Sequence, residues 1–230
     1  MTPRAFAARW WQSLLDQEDG FGAFTEQLSV DMARFGAPAT LCDWAREIVG
    51  QEARHVEICT NVIAYFGVEP QRRRPEKPKP MESDHALAEA IVAGFAVGET
   101  MSVGGFTASL ALAKDPLTRQ TLKELARDEV RHGRFGEVAG QWALRDWAAD
   151  QRRSLWGPCV YMMESFERRC GGVESIEFRE GPFAEALGAP APRVTHRGLL
   201  RAVERLVLPR LARLGVLPPR DDQTPSQRTG

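Results

Sequence analysis

Arg127-Asp128-Glu129-Val130-Arg131-His132-Gly133 is the stretch on which the fold turns. It lies inside a helical pattern, so Glu129 and His132, three residues apart, project from one face. A carboxylate and an imidazole on one face can bind the same cation. The same spacing recurs in Glu52-Ala53-Arg54-His55. Two of the 4 histidines thus combine a glutamate at this offset with an arginine directly before the histidine. One such pair is weak evidence. Two pairs, on two candidate core helices, point to a shared metal site.

Outward from these motifs the chain reads as helix after helix, with no sustained alternation of β-branched residues that would predict a sheet. Phe6 to about Phe35 is helix-forming, with Gly20 and Gly22 as an expected kink or break. Gly36-Ala37-Pro38 stops that helix and starts the next, which carries Leu41, Trp44, Ala45, Ile48, Val49 and Val56 as an apolar stripe and closes at Gly67. Glu69 to Asp84 holds Pro70, Pro75, Pro78 and Pro80 and cannot be helical. As an extended segment it reaches roughly 50 Å at about 3.1 Å per residue, enough to run the full length of a helical bundle. Its basic run, Arg72-Arg73-Arg74, reads as a solvated face of that crossover.

Asp84 to Ala113 is the most apolar helix, and between Glu89 and Lys114 its only charged residue is Glu99. A carboxylate among Ile91, Val92, Phe95, Val97, Met101, Val103 and Phe106 is costly to bury unless a cation or hydrogen-bond donors meet it. The helix is long enough for a membrane span, but Thr100, Ser102, Thr107 and Ser109 dilute it and its neighbours look amphipathic, so a buried helix of a soluble bundle is expected. Gly98, Gly104 and Gly105 beside Glu99 fit either room for a substrate or close helix packing. Asp115-Pro116 caps the next helix, expected to run to about Trp147.

Two helix pairs emerge, each ending in Glu-x-x-His. Glu99 precedes Glu129 by 30 residues and Glu18 precedes Glu52 by 34, and each leads a Phe-Thr pair by a similar interval. This near-repeat nominates Glu18 as the partner of Glu99, with Glu26 as the alternative on the same helix. Beyond Asp150, Pro158 to about Arg169 reads as a short helix, a Gly- and Pro-rich stretch continues to Pro192, and Thr195 to about Leu214 reads as a helix interrupted at Pro209. Pro218 to Gly230 is polar and expected to be disordered. Residues 1–150 form one unit in this reading, and 151–230 an extension that could serve as a lid, a docking surface or an oligomer contact.

The balance of 30 basic and 31 acidic residues gives no global pull toward nucleic acid or membrane. Met1 to Leu15 carries Arg4 and Arg9 and does not read as a secretory signal. Cys42, Cys59, Cys159 and Cys170 lack Cys-x-x-Cys spacing, so a reduced, cytoplasmic protein is the expectation. Cys59 stands one turn after His55 and is read as packing. Tyr65 and Tyr161 carry no redox signal, and His85 and His196 belong to neither motif.

One Glu from each of two helices plus a Glu-x-x-His from each of two others is the ligand set of ferritin-like di-iron and di-manganese carboxylate proteins. Glu129-Val130-Arg131-His132-Gly133 also resembles the rubrerythrin-type sequence around the second motif. The resemblance covers about Ala5 to Trp147. It implies an all-α fold: a ferritin-like antiparallel four-helix bundle with a long crossover between its second and third helices and a C-terminal helical extension. It further implies that Glu52 and Glu129 bridge two metal ions, that His55 and His132 each cap one, and that Glu18 and Glu99 are terminal ligands. Iron is the implied metal at both positions, with manganese or a mixed pair as alternatives. The first-helix Glu lacks a motif of its own, and the chain after Asp150 has no counterpart in the ferritin core.

Three function classes follow. The first is a dinuclear non-haem iron oxidase or oxygenase, in which the metal centre activates dioxygen for a small organic substrate. The second is a ferroxidase or metal-handling protein, and the third a metal-free helical binding module. A homodimer is compatible with each.

Overall fold

A computed structural model describes residues 2–72, 75–169 and 181–219. Among them there are helices and no strands. Helix α1 spans Pro3–Arg34, α2 Ala39–Tyr65, α3 Asp84–Leu112 and α4 Pro116–Ala143. Beyond these lie α5 at Ala149–Ser154, α6 at Trp156–Arg169, α7 at Gly181–Ala186 and α8, which begins at Pro192–Ala202 and continues to Leu214.

Local chemistry sets the ends. Thr2, Ser83 and Asp115 each accept a hydrogen bond from a backbone N–H of the first turn of α1, α3 and α4. Gly36 and Gly67, at φ 76° and 79°, take the left-handed conformation that terminates α1 and α2. The expected break at Gly20 and Gly22 does not occur, and α1 is continuous through both. Tertiary packing of its apolar stripe outweighs the roughly 1 kcal/mol each glycine costs a helix interior. Helix α4 ends at Ala143, short of Trp147. Helix α8 passes through Pro209 instead of stopping there, because Val203–Val207 just upstream is π-helical and the widened turn accommodates a residue that has no N–H to donate. The tail from 220 and the basic residues Arg73 and Arg74 lie outside the described residues, as do residues 170–180 of the Gly- and Pro-rich stretch.

Short turns join α1 to α2 and α3 to α4. The connection between α2 and α3 is long and non-helical, and it follows α1. Gln71 exchanges hydrogen bonds with Gln12 at 2.7 and 2.9 Å, Arg72 pairs with Asp19 at 2.9 Å, and the Met81 N–H donates to Asp31 at 3.0 Å. Between Gln12 and Asp31 it therefore covers about 30 Å of helix. Across α2 and α4, Arg54 reaches Glu124 at 3.0 Å and Arg131 reaches Glu47 at 2.6 Å, which sets these two helices antiparallel.

Two apolar layers fill the space between the long helices. One gathers Trp11, Leu15, Ile63 and Leu125; the other gathers Met32, Ile48, Phe95 and Phe135. Residues 18, 52, 55, 99, 129 and 132 fall between these layers on their helices. A third cluster joins Val97 and Met101 of α3 to Leu155, Cys159, Leu199 and Leu211, seating the C-terminal helices on the long ones. The apolar window of Asp84–Leu112 has a mean hydropathy of 1.4, and 72% of it is buried inside the protein. Gly104 of α3 meets Gly198 of α8 backbone to backbone, which decides its role in favour of close packing.

Helix α4 approaches α3 so closely that a Cβ on Gly136 would stand 2.6 Å from the backbone carbon of Phe95. Gly136→Ala should therefore cost about 1–3 kcal/mol in urea unfolding. A Cβ on Gly20 meets nothing within 4 Å, so Gly20→Ala should raise stability by up to about 1 kcal/mol. Effects of the same sign for both would contradict the packing described.

Candidate metal centre

Glu18 comes from α1, Glu52 and His55 from α2, Glu99 from α3, and Glu129 and His132 from α4, and none of the six is more than 7% exposed. Glu26, the alternative on α1, is exposed. Glu99 closes a π-helical stretch, Ala90–Glu99, in which every residue from Ile91 onward is buried.

The ligand atoms form two overlapping groups, Glu18, Glu52, His55, Glu129 and Glu52, Glu99, Glu129, His132, each within 4.8 Å. Nδ1 of His55 lies 3.0 Å from Glu18 Oε2, 3.6 Å from Glu52 Oε2 and 3.7 Å from Glu129 Oε1. Nδ1 of His132 lies 3.1 Å from Glu52 Oε1, 3.1 Å from Glu99 Oε2 and 3.4 Å from Glu129 Oε2. Glu52 and Glu129 thus divide their two oxygens between the two imidazoles, whereas Glu18 serves only His55 and Glu99 only His132. Each Nδ1 carries at most one proton and faces three acceptors. Both oxygens of Glu52 and Oε2 of Glu129 are accordingly buried without a hydrogen bond. Groups of this kind are costly unless a cation meets them, and oxygen and imidazole donors suit first-row divalent metals.

Two residues that the sequence reading did not single out hold the far side of each ring. Nε2 of His55 lies 3.4 Å from Asp128 Oδ2, and Nε2 of His132 lies 2.9 Å from Gln51 Oε1. Asp128 and Gln51 each stand directly before the Glu of their motif, yet each contacts the histidine of the other helix. With Nε2–H donated outward, Nδ1 turns its lone pair toward the carboxylates, the tautomer a metal requires. Arg54 and Arg127 brace Asp128 at 2.6 and 3.0 Å. The repeated Asp/Gln-Glu-x-Arg-His pattern was the available signal. Arg210 of α8 carried none: its guanidinium donates to Thr100 Oγ1, adjacent to Glu99, and occupies the space left by the missing side chain of Gly133, adjacent to His132.

Protons answer to the same electrostatics. Burial, only partly offset by His55, pushes the Glu18 carboxyl up to about 7. Burial and the neighbouring Glu99 carboxylate hold Glu129 well above the usual range. Burial also acts upward on Glu52, but the charges of the two nearby imidazoles outweigh it and bring it down to about 2. His132 rises to about 12 because the surrounding carboxylates overcome its burial, and His55 rises for the same reason with Asp128 as its leading partner.

The other singled-out residues stay apart from this cluster. His85 is exposed, stacked on Trp147 and hydrogen-bonded to Ser154. His196 lies 3.8 Å from Glu167. Tyr65 and Tyr161 are exposed. Cys42, Cys59 and Cys159 are buried free thiols, Cys59 within an apolar layer, while Cys170 lies outside the described residues.

Against one side of the cluster opens a cavity of about 500 Å³ that Glu18, Glu99 and Glu129 border and that is otherwise mainly aromatic and apolar. Gly98 and Gly105 also line it and leave room there, where Gly104 permits contact; Gly94, another lining residue, lets the Phe24 ring approach to 3.3 Å of where its Cβ would stand. The chain matches no protein-family model, no curated protein and no solved structure.

For the metal-free protein the sign of the pH dependence follows. Glu18 has a folded value near 7 against 4.5 for the unfolded chain, so the folded state holds more protons between them and stability falls as pH rises through that window. Glu129 acts in the same direction. His132, raised from 6.5 to about 12, extends the loss above 6.5. Urea unfolding of metal-free protein should show a decline on the order of 3 kcal/mol from Glu18 alone, and Glu18→Gln should flatten it. An unchanged slope in the variant would contradict the assignment.

Proposed function

We propose that this chain is a ferritin-like di-iron carboxylate protein that uses dioxygen to oxidise a small organic substrate. The observation that carries the proposal is the division of Glu52 and Glu129 between His55 and His132, with buried oxygens that no protein donor satisfies. In this reading Glu52 and Glu129 would be shared between two iron ions, His55 and Glu18 would help hold one, and His132 and Glu99 the other. Four carboxylates with two divalent cations make a neutral buried site. Manganese, alone or mixed, would use the same donors. The two hairpins and the long connection along α1 support the ferritin-like crossover topology.

Iron held there would supply the one-electron chemistry that reactions of dioxygen require. The protein's own part is to orient and exclude. Asp128 and Gln51 fix the imidazoles, Arg210 ties α8 to Thr100 and lies against Gly133, the residues next to Glu99 and His132, and the two apolar layers keep water from both ends. The cavity favours an organic substrate over a ferroxidase role, because an aromatic-lined path is a poor route for hydrated cations. The unsatisfied Glu52 oxygens weigh against a metal-free binding module.

Elemental analysis of protein purified without chelator should find two metals per chain. Glu129→Ala or His132→Ala should remove at least half of that while the helical circular-dichroism signal persists; His85→Ala and His196→Ala should leave it intact. With two irons bound, oxygen consumption should continue when reductant and an organic substrate are supplied. Consumption that instead tracks only ferrous iron added in excess would favour the ferroxidase reading.

A further inference from the structure

Besides bordering the carboxylates, the cavity is built by both parts of the chain. Phe21 and Phe24 of α1 line it from one side, and Met162, Phe166, Thr195 and Leu199 of α6 and α8 from the other. We propose that the C-terminal helices are the specificity wall of a substrate chamber, and that the chamber takes an uncharged, mainly apolar organic molecule. The assignment of a substrate rests on the di-iron reading; binding in the chamber does not.

Three features carry the proposal. First, size: at about 30 Å³ per water-sized group, the 500 Å³ cavity holds roughly 15 non-hydrogen atoms, within the range of small-molecule sites. Second, the space is kept open by missing side chains. A Cβ on Gly105 would meet nothing nearer than Thr195 Cγ2 at 4.0 Å, and one on Gly98 would make only ordinary contacts, 3.5 Å from the Ala93 carbonyl oxygen and 3.7 Å from Met162 Sδ. Both face the C-terminal helices across the chamber. The third feature is charge. Glu18, Glu99 and Glu129 border the cavity, so an anion approaching them is repelled when metal is absent and has no excess positive charge to meet when two divalent ions are bound. The one cationic side chain among the described lining residues, Arg169, has its guanidinium 4.1 Å from the centre of the Phe166 ring. Serine and threonine hydroxyls from Ser102 and Thr195 are suited to an uncharged oxygen on the ligand.

Extension and metal centre are therefore joined by one cavity. Shortening or reshaping α6 and α8 would change which molecule is accepted without changing the ligands.

The test uses the full-length chain, metal-free and zinc-loaded, titrated calorimetrically with 1-decanol and with decanoate. Decanol should bind in both states, and more tightly than decanoate. Gly105→Leu and Met162→Trp, which fill the chamber from opposite walls, should each weaken decanol binding about tenfold or more while metal content stays at the wild-type value. Two variants guard against one that fails to fold. Absence of decanol binding, wild-type affinity for decanol in both variants, or a preference for decanoate would overturn the proposal. Decanol binding that the variants abolish, in a protein that takes up no metal, would uphold the chamber and sink the di-iron reading. Metal uptake without decanol binding would do the reverse.

Discussion

Four carboxyl groups and two imidazoles crowded between apolar layers cannot all keep the charges they would carry in water. Each ionised carboxylate there needs a proton, an N–H donor or a cation, and the two Nδ1 atoms can supply one proton apiece to three oxygens each. The displaced titration of Glu18, Glu52, Glu129 and both histidines expresses this shortage. Two divalent cations would relieve it in one step, by accepting the Nδ1 lone pairs and the carboxylate oxygens together.

Much of the surrounding structure serves to hold that arrangement. Asp128 and Gln51 lock the rings from behind and cross between α2 and α4 in doing so, so that each motif positions the histidine of the other. Glycines along α4 let it approach α3 and admit Arg210 against Gly133, next to His132 in the chain. The π-helical stretch ends on Glu99, where a widened turn changes which side chains share the face toward the centre. The long connection is tied to α1 at both ends, leaving the second and third helices free to sit on opposite sides of the site.

The helical class and the six clustered residues were legible because spacing carries them. Glu-x-x-His fixes a shared face, and an isolated Glu99 in an apolar helix announces a buried charge. Glu18 was separable from Glu26 only through the near-repeat, and burial of the one against exposure of the other now distinguishes them. What the sequence could not show depends on contacts far apart in the chain. Gln51 and Asp128 are ordinary polar helix residues until the opposite helix is in place. Arg210 lies 78 residues beyond His132, with no motif around it. Gly20 and Pro209 misled for a related reason: local propensity argues for a break, while the packed apolar face of α1 and the π-helical turn before Pro209 keep both helices continuous.

Anomalous diffraction at the iron edge, from crystals of protein loaded anaerobically with ferrous iron, tests the central claim most directly. The account predicts two peaks per chain, both contacting Glu52 and Glu129, one also bound by His55 and Glu18 and the other by His132 and Glu99. A single peak, or iron held away from these six side chains, would contradict it.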